Sequence, residues 1–129
     1  MSSRTILLIE DNEIDAFFTT KIIQSIDPDV KIIHCENGKE GLDYLNNENN
    51  LPWLILLDLM MPIMDGFTFL TELSANNKLN NLPVCILSTS DNPLDVEKAE
   101  DNYDHIKSYI AKPISAYHYK ELKSKLGVD

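Results

Sequence analysis

Two cysteines, four glycines and only 11 basic residues stand in a chain of 129, and no apolar run approaches the length a bilayer span needs. Each scarcity excludes something. Cys35 and Cys85 lie inside apolar, strand-like runs, where a thiol behaves as a small hydrophobe, so no disulfide is expected. The N-terminus has no basic stretch followed by an apolar one, so no secretory signal is expected, and a reducing, cytoplasmic setting is. Against 11 bases stand 21 acids, a formal charge of −10 that opposes contact with nucleic acid phosphates and anionic membrane surfaces. Neither is expected as a partner. No repeat, linker or low-complexity tract divides the chain, which predicts one domain over residues 1–129 with no output domain attached.

What the chain does have is Leu54-Ile55-Leu56-Leu57-Asp58, four apolar residues followed by a lone carboxylate where a buried parallel strand should run out of core. Pro62 to Gly66 then ends the strand segment and opens a helix, with Asp65 as its N-cap. Similar units recur in order. Ile6 to Ile9 is a strand ending in Glu10-Asp11-Asn12-Glu13, and Phe17, Phe18, Ile22, Ile23 and Ile26 give the next helix a broad apolar face, closed by Asp27-Pro28. Val30 to Cys35 carries polar Lys31 and His34, which suit an edge strand, and Asn37 and Glu40 have capping-box spacing ahead of Leu42 and Leu45. Trp53 to Leu57 is the third strand. Val84 to Leu87 ends in Ser88-Thr89-Ser90-Asp91, and Asn92-Pro93 reads as a cap before a first-turn proline, with Leu94, Val96 and Ala99 lining the helix thinly. Ser108 to Ala111 is a short fifth strand broken by Lys112-Pro113, and Tyr117, Leu122 and Leu126 organise the last helix.

Five β-α units predict a doubly wound α/β fold, a five-stranded parallel sheet of flavodoxin-like order 2-1-3-4-5 with helices on both faces. In that order ligands bind outside the carboxyl ends of the strands, where strands one and three diverge. The polar residues gather at those ends: Glu10 and Asp11 after strand one, Asp58 after three, Ser88 after four and Lys112 after five. Converging carboxylates with few local bases call for a divalent cation, and hard Mg²⁺ suits carboxylates plus a backbone carbonyl. A metal, the Lys112 ammonium and the Ser88 hydroxyl would stabilise a phosphoryl group, leaving Asp58 as an in-line oxygen nucleophile. That describes an aspartyl phosphate site. His34, His105 and His118 do not cluster with the acids and read as structural or surface residues.

With these motifs in this order, residues 4–126 resemble the receiver domain of two-component response regulators. The resemblance implies a stand-alone phosphoacceptor signalling protein rather than a turnover enzyme, taking its phosphoryl group from a histidine kinase or histidine phosphotransfer protein. It implies Asp58 as phosphoacceptor; Glu10, Asp11, Asp58 and the Met60 carbonyl as Mg²⁺ ligands; Ser88 and Lys112 on the phosphoryl group; and Tyr109, three before the lysine, as an aromatic switch with Ser88. It also implies a cis Lys112-Pro113 bond. The thin apolar stripe of helix four suits that element to shift with Tyr109, so an output surface of helix four, strand five and helix five, with Tyr103, Tyr109 and Tyr119, is expected to meet a downstream protein or a second copy. Glu10 stands where aspartate is frequent, and Ser88 where threonine is. Two other classes fit less well: haloacid-dehalogenase-like phosphohydrolases carry a second aspartate where this chain has Met60, and a flavodoxin loop would not place four polar residues, three of them acids, against a flavin phosphate.

Overall fold

The apolar runs at 6–9, 54–57 and 84–87 are continuous because each strand is covered on both faces, so successive side chains, pointing opposite ways, enter two different cores. Leu7, Ile9, Ile55, Leu57, Val84 and Ile86 pack on one side, and Ile6, Leu8, Leu54, Leu56, Cys85 and Leu87 on the other. A computed structural model describes residues 4–47, 49–88 and 93–128. Its elements are β1 (Thr5–Ile9), α1 (Glu13–Ile26), β2 (Lys31–Cys35), α2 (Gly38–Asn47), β3 (Leu54–Leu57) and α3 (Gly66–Ser74), then β4 (Val84–Ser88), α4 (Pro93–Asn102), β5 (Ile106–Ala111) and α5 (Ala116–Lys125). The strands are parallel in the order β2-β1-β3-β4-β5, as expected. Helices α2, α3 and α4 cover the first core, α1 and α5 the second.

Local chemistry sets the helix starts. Asn12 accepts from the N–H groups of Ile14 and Asp15, Asp65 from Thr68, and Ser115 from His118. At α2 the Asn37 side chain accepts from Glu40 N–H at 2.9 Å, while the Glu40 carboxylate reaches back to Glu36 N–H, one residue before the position a capping box would use. The cap expected of Asn92, and Thr89, fall outside the described residues. Cys35 and Cys85 are buried free thiols, and burial pushes them up to about 11 and about 12, so both stay protonated. Among the described residues no helix is long and apolar enough to cross a membrane.

Several side chains depart from the sequence-based reading. The buried stripe of α1 is Ala16, Thr19 and Ile23, spaced three and four apart, with small Ala16 and Thr19 in its first half; Phe17 and Phe18 are left outside, each 56% exposed. Hydrophobicity alone misplaced them. Leu94 of α4 is likewise exposed, and so is Tyr117 of α5, whose buried residues are Tyr119, Leu122 and Lys123. Tyr103 and Tyr119 do not belong to an output surface. Tyr103 is buried with its hydroxyl donating to Leu82 O at 2.7 Å, and Tyr119 is buried in the second core. A tyrosine ring fills core well once its hydroxyl has a partner.

Tyr119 finds that partner at the far end of α1. Its hydroxyl donates to Asp27 Oδ2 at 2.7 Å, and the Lys123 ammonium meets the same carboxylate at 2.8 Å. Burial alone would raise the Asp27 carboxyl, but Lys123 and the Tyr119 hydroxyl outweigh it and hold its pKa below the ordinary value. A depressed folded pKa contributes stability that is full above the unfolded value of 3.8 and is lost as pH falls through the folded one. Asp27→Asn should therefore lower unfolding stability by about 1–2 kcal/mol at pH 7, with the gap to the unsubstituted protein narrowing below about pH 4; urea titrations at both pH values check this.

Candidate functional site

The backbone ladder continues one residue past each strand and so fixes where the polar side chains start. Glu10 N–H donates to Cys35 O at 3.0 Å, Asp58 N–H to Ile9 O at 3.0 Å and Lys112 N–H to Ser88 O at 2.9 Å. Glu10 and Asp58 thus emerge side by side from β1 and β3, with Lys112 two strands further on after β5, and oxygens of Glu10, Asp11 and Asp58 lie within 4.8 Å of one another. Glu10 and Asp58 are buried, while Asp11 is exposed. Lys112 Nζ stands 2.5 Å from Glu10 and 3.3 Å from Asp58. Ser88 ends β4, opposite Ala111. The Lys112-Pro113 bond is cis, as expected.

The loop after Asp58 is tightly built. Met60 N–H donates to Asp58 Oδ1 at 3.2 Å, while the Met60 side chain points out, 69% exposed. Gly66 N–H donates to Leu59 O, and a Cβ at Gly66 would stand 2.7 Å from Leu59 Cα and 2.8 Å from Asp58 O, so only glycine allows the helix to start against this backbone. Between them Met64 N–H closes on Pro62 O at 2.8 Å, a γ-turn that puts Ile63 at φ 69°. A β-branched residue there is strained.

Oxygen ligands of this kind, gathered on the carboxyl ends of a parallel sheet, fit a hard divalent cation. The sequence matches the family model for the response regulator receiver domain over residues 6–124. The chain belongs to the response regulator receiver domain family. The receiver is 34% identical to the probable methanogenesis regulatory protein FilR2 of Methanothrix harundinacea over 92% of this chain and 76% of the relative. Among solved structures it is similar to the phosphorylated cyanobacterial phytochrome response regulator RcpA, with a TM-score of 0.78 and 30% identity over 98% of this chain and 91% of that one. It also resembles the Mn²⁺-bound form of the response regulator Rcp1, with a TM-score of 0.76 and 28% identity over 94% and 90% of the two chains. Such receivers are phosphoacceptor proteins of two-component systems that bind a divalent metal at an acidic pocket.

Electrostatics in the receiver's pocket are set by burial and by one base. Burial pushes the Glu10 carboxyl up, the Lys112 ammonium offsets part of that, and the neighbouring Asp58 adds to it, leaving Glu10 at about 7. Burial would lower Lys112, but Glu10, Asp58 and Asp15 together hold its ammonium well above the ordinary lysine value. Ser88 and Tyr109 line one cavity of about 30 Å³ with Leu59, Val96 and Ala111, room for roughly one or two waters. The Tyr109 hydroxyl donates to Val96 O of α4 at 3.0 Å, which ties β5 to α4.

Three contacts were missed by reading the sequence. Asp15 Oδ2 lies 3.2 Å from Lys112 Nζ, Asn12 N–H donates to Glu10 Oε2 at 3.2 Å, and His34 Nε2–H donates to Glu10 O at 2.7 Å. Asp15 carried no signal of its contact, because Asp11 precedes the N-cap Asn12 and so shares no helical spacing with it, and its partner Lys112 lies 97 residues away. His34 is structural, as expected of it, but its role is to pin the Glu10 carbonyl.

The strained turn generates a prediction. Asparagine tolerates the left-handed region that penalises isoleucine by about 1–2 kcal/mol, and the Ile63 side chain is 81% exposed, with little packing to lose. Ile63→Asn should raise stability by roughly 1 kcal/mol. An unchanged or lower urea midpoint would show that the turn carries no such strain.

Proposed function

We propose that Asp58 accepts a phosphoryl group from a phosphohistidine of a sensor kinase or histidine phosphotransfer protein. The observation that carries this reading is the burial of Asp58 at the end of the central strand, 3.3 Å from the Lys112 ammonium and beside Glu10 and Asp11. An Asp58 carboxylate oxygen attacks phosphorus as the phosphorus–nitrogen bond breaks, and the leaving imidazole nitrogen keeps the electron pair. Charge spreads over the phosphoryl oxygens during such a transfer. Lys112 and the Ser88 hydroxyl donate to those oxygens, while Met60 N–H, already on Asp58 Oδ1, orients the nucleophile. Glu10, Asp11, Asp58 and the Met60 carbonyl would hold Mg²⁺. When bound, the ion supplies charge neutralisation at the phosphoryl oxygens.

The chain turns over no other substrate in this reading; it catalyses its own phosphorylation and dephosphorylation. We place the transfer in the cytoplasm, where Cys35 and Cys85 remain the thiols seen here. Output passes through Ser88 and Tyr109, which face the same cavity. A phosphoryl group that draws the Ser88 hydroxyl toward itself enlarges the space beside Tyr109, and the ring's bond to Val96 O makes α4 the element that responds. The partner is a downstream protein or a second copy that reads the α4-β5-α5 face, on which only Tyr109 of the three expected tyrosines remains, joined by exposed Leu94 and Tyr117.

Intact mass after incubation with acetyl phosphate and Mg²⁺ tests the acceptor. One phosphoryl group should add to the unsubstituted chain, none to Asp58→Asn, and none after chelation of the metal. Normal uptake by Asp58→Asn on another side chain would sink the assignment.

A further inference from the structure

Lys112 has three ammonium donors and three carboxylates around it: Glu10 at 2.5 Å, Asp15 at 3.2 Å and Asp58 at 3.3 Å. Two of these belong to the acid cluster of the pocket; Asp15 does not. It comes from the first turn of α1, where its own N–H is fixed by the Asn12 side chain, so its carboxylate is presented from a rigid helix end. It is also the most exposed of the three, with 38% of its side-chain surface open against 2% for Glu10 and 8% for Asp58.

On the reading that Asp58 is the acceptor, the three partners have different fates. Asp58 loses its charge when its oxygen forms the phosphorus–oxygen bond, and Glu10 sits among the acids that would hold Mg²⁺. Only Asp15 keeps both its charge and its freedom to face the ammonium throughout. We propose that Asp15 is a positioning residue: it tethers the Lys112 ammonium beside Asp58, so that the lysine can pass one hydrogen bond to an incoming phosphoryl oxygen without leaving the site. A four-carbon lysine stem with several rotatable bonds loses that aim readily once nothing holds its head.

The test uses acetyl phosphate, whose phosphorus–oxygen bond to acetate breaks as Asp58 attacks, acetate leaving with the electron pair. Asp15→Ala should slow phosphorylation by about fivefold to tenfold at saturating Mg²⁺, less than the roughly hundredfold that a full 1 Å misplacement can cost because Lys112 keeps its other partners, with the melting midpoint unchanged because Asp15 is partly exposed. Asp15→Glu should recover much of the rate, and Asp15→Ala should cost nothing further once Lys112 is already alanine, since coupled residues are not additive. In the unphosphorylated protein, the Lys112 ammonium protons should exchange with water several-fold faster in Asp15→Ala. This nuclear magnetic resonance readout stands even where the Lys112→Ala rate falls below detection. An Asp15→Ala rate equal to or above that of the unsubstituted chain, an undiminished loss in the Lys112→Ala background, or unchanged ammonium exchange would overturn the proposal. If the unsubstituted chain itself takes up no phosphoryl group, the acceptor assignment fails and the proposal falls with it; a phosphorylated chain indifferent to Asp15 removes the proposal alone.

Discussion

The Lys112 side chain is 11% exposed and its ammonium stands within 3.3 Å of three carboxylates, Glu10, Asp15 and Asp58, with Asp11 clustered with Glu10 and Asp58. Oppositely charged groups at such distances attract strongly when water is kept away, but the carboxylates repel one another by the same law. A single base cannot balance them. Burial, with Asp58 adding to it, pushes Glu10 up to about 7 against the pull of Lys112, and the three carboxylates hold Lys112 protonated above the usual lysine range. The charge deficit makes the pocket receptive to positive charge from outside, which is what the oxygen ligands of a divalent cation require.

The fold concentrates this imbalance rather than dispersing it. Parallel strands end side by side, and the ladder bonds from Glu10, Asp58 and Lys112 to the last carbonyls of neighbouring strands leave their side chains little choice of direction. The loop after Asp58 then turns within a few residues through a strained Ile63 to a glycine that touches backbone. Strain of this kind persists only where surrounding structure over-determines it. The stabilising contacts lie elsewhere: one apolar core packs α2, α3 and α4 on the sheet, while the other, with the Asp27 carboxylate shared by Tyr119 and Lys123, holds α1 and α5 together. The rigid scaffold and the charge-frustrated pocket are built from separate sets of residues.

Much of this was legible in the sequence because it depends on order and period. Continuous apolar runs marked strands buried on both faces, Asp27-Pro28 and Asp65 marked helix ends, and the polar residues after four successive strands marked the pocket. What periodicity could not resolve was which part of an apolar helix face meets the sheet. Phe17 and Phe18 looked like core by hydrophobicity, yet the buried stripe of α1 is Ala16, Thr19 and Ile23. Tyr103 and Tyr119 were expected on the output face, yet each hydroxyl has a buried or half-buried acceptor that is remote in sequence, Leu82 O and Asp27. Asp15 escaped for a related reason: its partner lies 97 residues away, and only the fold brings them together.

If one ammonium and an external cation serve the same acids, they must compete. The direct measurement is the Mg²⁺ affinity of the unphosphorylated receiver by titration calorimetry, for the unsubstituted chain and for Lys112→Met. Removing a positive charge that lies within contact of two of the cluster's carboxylates should tighten binding by roughly tenfold or more, given the repulsion of nearby like charges at an effective dielectric of about 20. An affinity that is unchanged or weaker in Lys112→Met would contradict the charge balance on which this account of the site rests.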